Sequence, residues 1–145
     1  MFHQSMICPT PTIYVRWIAG DSDFTAIHAM DEEMPAERLR ELHRQRNVIV
    51  QVADVDQDIR GYMIYTLRDR HMELNRLFVA RQHRGQGVAR AMIAKLVSKL
   101  GGKRRAIACT VPDDLVGVHL CLQRCGFLGS LHDAESYRFI RCGNR

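Results

Sequence analysis

Apolar and polar positions along the chain follow two rhythms, and they place most of the elements. Ile13-Tyr-Val-Arg-Trp-Ile18 alternates and is rich in β-branched and aromatic side chains, which predicts a first strand. Residues 21 to 46 read as two helices: Asp21 or Ser22 is placed to cap the first, and Pro35 to open the second, which carries Leu39 and Leu42. Alternation returns in Asn47 to Ala53, Gly61 to Leu67 and Met72 to Val79, separated by the polar turns 54–58 and 68–71, so these stretches predict an antiparallel meander. From Val88 to Leu100 the apolar residues recur at three- and four-residue steps, the signature of an amphipathic helix, with Gly101-Gly102 to stop it. Ala106 to Val111 reads as a buried strand. A helix follows from Pro112-Asp113-Asp114 to Cys125, with Leu115, Val118, Leu122 and Cys125 as its apolar stripe and Gly126 at its end. Tyr137 to Cys142 is the last strand. The expected order is β-α-α-β-β-β-α-β-α-β, an α/β fold of α+β type with a mixed, mostly antiparallel sheet and helices on both faces.

No repeat, low-complexity tract or linker interrupts this pattern, so residues 13–145 read as a single domain. Met1 to Thr12, with Pro9 and Pro11, reads as a loose lead-in without the basic start and apolar run of a secretory signal. The 145-residue length suffices for a sizeable core without disulfides or metals. No stretch approaches the ~18 apolar residues of a membrane-spanning helix.

Charge and cysteine usage add little that is specific. The formal net charge is +5, and only Lys95, Lys99 and Lys103 of the 21 basic residues are lysines. Arginine suits phosphate recognition, whether in a nucleic acid, an anionic cofactor or an acidic partner. Dispersed arginines without a nucleic-acid motif make nucleic acid the weakest of these partners. Five cysteines without a C-x-x-C pair point to a reduced, cytoplasmic protein in which Cys121 and Cys125 are small hydrophobes and no metal is bound.

The chemistry concentrates in Leu77-Phe-Val-Ala-Arg-Gln-His-Arg-Gly-Gln-Gly-Val-Ala89. This is a strand, then a basic glycine-bearing loop, then the first turn of an amphipathic helix. Such a turn presents unpaired backbone N–H groups backed by the positive end of the helix dipole, and it suits a phosphate or pyrophosphate. Gly85 and Gly87 let the backbone approach the anion, while Arg81, His83, Arg84 and Arg90 add positive charge. The dinucleotide pattern G-x-G-x-x-G fails at Arg90, and no P-loop signature occurs.

What remains is R-x-x-G-x-A from Arg84 through Gly87 to Ala89. It resembles the pyrophosphate loop, Q/R-x-x-G-x-G/A, of the GNAT family of N-acetyltransferases. Leu77 to Leu96 matches that family's central motif, and Gly126-Phe127 its closing one. With the element order, the resemblance spans nearly the whole chain. It implies acetyl-CoA as donor: the backbone of Leu77, Phe78 and Val79 would hold the pantetheine arm and acetyl carbonyl, and Arg84, Gly85, Gln86, Gly87, Val88, Ala89 and Arg90 the pyrophosphate. The acceptor would be an amine-bearing small molecule or protein, and the protein a monomer or homodimer.

A general base helps because an alkylammonium titrates near ~10.4 and only its neutral form attacks. The resemblance puts Glu73, six residues before Val79, in that role, on a strand face expected to be shared with Asn75, Leu77 and Val79. The alternative is an exposed glutamate balancing Arg70 or Arg76. Departures from the family pattern are specific: Leu122 stands where many members carry an acidic tyrosine, Leu115 where an asparagine is common, and Thr110 where one branch has a glutamate. Leu115 and Leu122 read as core positions. Tyr137, Cys121 or solvent is left to protonate the thiolate, and Tyr137 reads equally as a core aromatic. Asp21, Asp23, Asp31, Glu32 and Glu33 lie where an acidic acceptor patch would form. The missing groups motivate a second reading, a catalytically silent acetyl-CoA-binding regulator.

Overall fold

The computed structural model describes residues 11–143. The lead-in assigned to residues 1–12, and Cys8 with it, falls outside them apart from Pro11 and Thr12. In chain order the elements are β1 (Tyr14–Trp17), α1 (Asp21–Met30), α2 (Ala36–Arg44), β2 (Val48–Val55), β3 (Asp58–Leu67) and β4 (His71–Val79), then α3 (Val88–Val97), β5 (Ala106–Pro112), α4 (Val116–Arg124), β6 (Leu128–Leu131) and β7 (Ser136–Cys142). They build a seven-stranded sheet in the order β1-β2-β3-β4-β5-β7-β6. Every pairing is antiparallel except β4 with β5, where α3 makes the long crossover that parallel neighbours require.

The sheet is covered on both sides. One core joins Met63, Tyr65, Met72 and Leu74 to Met92, Ile93 and Leu96 of α3 and Leu122 of α4. The other joins Val50, Val52, Tyr62 and Ile64 to Phe24 and Ile27 of α1 and Leu39 of α2. β2 contributes to both, with Ile49 on the α3 side and Val48, Val50 and Val52 on the α1–α2 side, as expected of a strand sandwiched between helices.

Turns and caps follow from local chemistry. The β2–β3 hairpin turns on Asp56 (φ 51°) and Gln57 (φ 70°), and the Gln57 N–H donates to Asp54 Oδ1 at 2.7 Å. Left-handed backbone costs an L-residue roughly 1–2 kcal/mol, so Gln57→Gly should stabilise the fold by about 0.5–1 kcal/mol after glycine's own entropy cost. A rise of about 1–4 °C in melting temperature checks this. At the end of α4, Gly126 (φ 89°) lets the Phe127 N–H reach the Leu122 carbonyl at 3.0 Å, and Gly126 N–H reaches Gln123 at 3.1 Å. This Schellman cap brings Phe127 onto Leu122 in the core, a physical reason for the Gly-Phe pair.

The structure departs from the pattern reading at several points. β6 has no expected counterpart; all four of its residues are exposed, so it carries no alternation to read. α4 begins at Val116, because Pro112 stays paired with Ser136 and the Asp113 N–H is held by the Glu135 carbonyl at 2.8 Å. Leu115, expected in the core, is therefore 47% exposed, whereas Leu122 is fully buried. α3 ends at Val97, and the last turn tightens into i→i+3 bonds before the two glycines. Cys109 is buried and burial pushes its thiol up to about 12; Cys121 and Cys125 are half-buried beside the same core, and Cys142 is exposed.

Candidate active site

β4 and β5 pair only from His71 opposite Ala106 to Glu73 opposite Ala108, although β4 continues to Val79 and β5 to Pro112. Beyond that point this edge of β4 has no strand partner among the described residues. The Ala80 N–H donates to Arg60 in β3 at 2.8 Å, and the Phe78 carbonyl lies close against Gly61. Strand alternation then turns the backbone groups of Leu77 and Val79 toward the gap and those of Phe78 toward β3. Phe78 contributes its ring, packed 5.9 Å from Tyr62 on the α1–α2 side.

The loop after β4 carries the features expected of an anion cradle. A short 3₁₀ turn at Arg81–His83 leads to Gly85 (φ 80°) and Gly87 (φ 85°), the residue at the N-cap position of α3. A β-carbon built at either glycine touches no atom of the described residues within 4 Å, so φ and not packing demands glycine there. Among the described residues no side chain caps α3, and its first backbone acceptor bond runs from Ala91 N–H to the Gly87 carbonyl. The Val88, Ala89 and Arg90 N–H groups are thus the free donors of a helix N-terminus. Val88 is buried and anchors this turn, while Arg84, Gln86 and Arg90 are exposed. Residues 80–90 contain no carboxylate. The donor set therefore fits a pyrophosphate. Arg84 folds back, its Nε donating to the Val79 carbonyl at 3.0 Å and its guanidinium 5.4 Å from the centre of the Phe78 ring.

Glu73 sits elsewhere than alternation predicts. Arg76 pairs with Ile64 and Leu74 with Tyr65, leaving Asn75 as an extra residue in a β-bulge. Met72 and Leu74 pack on the α3 side, and after the bulge Leu77 and Val79 do so too. Glu73, Asn75, Arg76 and Phe78 lie on the α1–α2 side, so Glu73 does not share a face with Leu77 and Val79. There it is neither exposed nor balanced by Arg70 or Arg76. Arg138 of β7 donates Nη1 to Oε2 and Nη2 to Oε1, both at 2.8 Å, with Nη1 also on Thr110 Oγ1; His71 Nε2 lies 3.0 Å from Oε1. Burial raises the Glu73 carboxyl, but the hydrogen bonds and charge of Arg138 and His71 outweigh it and hold the carboxyl below its ordinary value. Nothing local in the sequence points to Arg138, which is 65 residues away.

Tyr137 is not a core aromatic. It is 36% exposed on the α4 side of β7, opposite Val111, with its ring 5.3 Å from His119. Glu73 and Tyr137 therefore flank the sheet from opposite faces. Cys121 is half-buried on α4, and burial raises its thiol further into the protonated range.

The early acidic residues divide: Asp21, Glu32 and Glu33 are exposed, while Asp23 and Asp31 are buried in ion pairs. Asp23 holds Arg16 at 2.8 Å, Asp21 faces Arg40 at 3.6 Å, and Arg76 bridges Asp31 at 2.6 Å and Glu33 at 3.6 Å. Asp31 is nearly fully buried and also accepts the Tyr62 hydroxyl, which burial and this bond hold protonated. Among the described residues no cluster of histidine, cysteine, aspartate or glutamate could hold a metal, and no helix is long and apolar enough to cross a membrane.

Comparison with known proteins bears on the fold and the family. No curated protein sequence matches the chain significantly. Among solved structures, an acetyltransferase from Thermus thermophilus superposes with a TM-score of 0.79 at 15% identity, covering 92% of this chain and 98% of that one. The PaiA N-acetyltransferase from Thermoplasma acidophilum, in complex with coenzyme A, gives 0.74 at 15% identity, with 90% and 99% covered. The ribosomal-protein-S18-alanine N-acetyltransferase from Escherichia coli gives 0.71 at 12% identity, with 89% and 91% covered. At such identities the likeness is one of fold. The family model described as the acetyltransferase (GNAT) family matches residues 14–127, spanning the strand, loop and helix that form the anion cradle, and the chain belongs to that family.

Proposed function

We propose that the protein transfers the acetyl group of acetyl-CoA to a primary amine. The observation that carries this reading is Gly87 at φ 85°, opening the uncapped N-terminus of α3 beside the free edge of β4. Acetyl-CoA would supply an activated acetyl thioester. The backbone of Leu77 and Val79 would hold its pantetheine arm, and the N–H groups from Gly85 to Arg90, with Arg84, its pyrophosphate. Arg84 would exchange its bond to the Val79 carbonyl for a phosphate oxygen. Glu73 is our candidate acceptor of the amine's proton. Both its oxygens are committed to Arg138 and His71, so the proton would travel through an intervening water. Tyr137, on the other side of the sheet, is the candidate proton donor to the thiolate. Relatives of this fold include a coenzyme A complex and an enzyme named for a protein alanine, in keeping with this donor and an amine acceptor.

Acetyl-CoA at ~100 times its dissociation constant adds about 2.7 kcal/mol, which at about 2–4 °C per kcal/mol gives a melting shift of roughly 5–11 °C. No shift at millimolar acetyl-CoA would sink the donor assignment. Fully buried Leu122, in the place of a tyrosine acid, favours a second reading as a silent regulator. Thiol release on an amine panel separates the two: the regulator binds acetyl-CoA and releases none.

A further inference from the structure

A cavity of about 430 Å³ lies on the α1–α2 side of the sheet, between α2 and the strands β2, β3 and β4. Asn75, the bulge residue, and Arg76 line it just past Glu73, the last residue of β4 paired with β5, so it adjoins the gap where the acetyl group would be presented. Its volume is that of a small-molecule site. Its charged lining is one-sided: among the described residues Arg38, Arg68 and Arg76 face it, and no carboxylate does. Asn47, Thr66 and Asn75 add polar groups, with the Thr66 hydroxyl on Asn75 Oδ1 at 2.6 Å.

The three arginines differ in how far they are committed. Arg76 uses Nε and Nη2 on Asp31 and Tyr62, and its Nη1 has no hydrogen bond among the described residues. Arg38 has, among the described residues, only an exposed pairing with Glu41 at 3.5 Å. The Arg68 guanidinium has no partner among the described residues, while its carbonyl takes Arg104 Nε at 2.7 Å. That bond draws the basic loop before β5 toward the cavity rim. Arg70, Lys103 and Arg105 line a neighbouring hollow on the same basic end. A cationic acceptor would meet like charge here, offset at Arg76 by Asp31 and Glu33 and at Arg38 by Glu41 but, among the described residues, not at Arg68; an anion would meet the open Arg68 guanidinium and Arg76 Nη1.

We infer that the amine acceptor carries an anionic group, a carboxylate or a phosphate, which this cavity receives at Arg68 and Arg38 while the amine points past Asn75 toward the gap. The inference rests on the acetyl-transfer reading for its orientation, though the binding preference can be tested without turnover. Matched pairs are titrated calorimetrically into the protein, with and without saturating CoA: phenylalanine against phenylalaninamide, and O-phosphoethanolamine against ethanolamine. The anionic member should bind about 10- to 100-fold more tightly, the worth of a hydrogen bond to a charged group. The pair that prefers its anion more strongly tells carboxylate from phosphate. Arg68→Glu, at an exposed side chain, should keep the melting temperature and erase the preference. With turnover, kcat/KM should rank the pairs in the same order. A preference seen in binding without any thiol release would support the cavity assignment and overturn the catalytic reading alone. Equal binding within each pair, tighter binding of the amide or ethanolamine, no binding of any member, or a preference that survives Arg68→Glu would each overturn the inference.

Discussion

Gly87→Val should reduce acetyl-CoA affinity by at least about 100-fold, because two or more charge-assisted N–H contacts, each worth ~1.5–3 kcal/mol, depend on the conformation at this residue. Gly87 holds φ at 85°, and a β-branched residue there abandons that conformation or strains to keep it. No atom of the described residues lies within 4 Å of the added Cβ, so the cost to the fold is conformational only, about 1–2 kcal/mol or a melting decrease of roughly 2–8 °C. Ligand affinity should therefore fall far more than stability does. Arg84→Ala should weaken binding less, since its side chain serves the Val79 carbonyl in the ligand-free protein and the backbone supplies most of the donors. Calorimetric titration of both variants with acetyl-CoA checks the order. Normal binding by Gly87→Val would place the pyrophosphate elsewhere.

The contrast between this loop and Glu73 shows what the sequence can and cannot carry. The cradle is built from contiguous residues: a strand end, two glycines with positive φ and the onset of an amphipathic helix, all written within Leu77 to Leu96. Alternation, helical periodicity and turn chemistry are local, so they were readable there and across most of the sheet. The face on which Glu73 lies depends on Asn75 being extruded against β3, a choice made by the pairing partner and invisible in β4 itself. The α4 onset is likewise fixed by the distant Glu135 carbonyl. β6 escapes because a fully exposed edge strand has no buried side to impose a period. Tyr137 has an aromatic residue's core propensity, but its end of β7 is covered mainly by His119, and the ring stays partly in solvent.

Glu73→Gln should lower kcat with a good acceptor by about 10²–10⁴-fold at neutral pH, the usual contribution of a positioned base, and leave acetyl-CoA affinity unchanged. The carboxylate lies on the α1–α2 side, away from the loop that would hold the pyrophosphate. Its depressed pKa fixes the sign of the pH dependence. Glu73 remains ionised throughout the neutral range, and any stability from its ion pair is present above the unfolded carboxyl value of about 4.3 and lost as pH falls through the lower folded value. The wild-type rate should then rise with pH along the acceptor amine alone, with no limb from Glu73 between pH 5 and 7. Arg138→Met removes two hydrogen bonds and leaves the burial that raises the carboxyl, so a limb from Glu73 should move up toward that window. That variant separates two roles. If Glu73 takes the proton, Arg138→Met keeps most of its kcat at alkaline pH while Glu73→Gln recovers only as the free amine accumulates. If Glu73 serves only to hold Arg138 against Thr110, the two substitutions should be equally damaging at every pH. An undiminished rate in Glu73→Gln would mean that water alone accepts the proton and that the ion pair is structural.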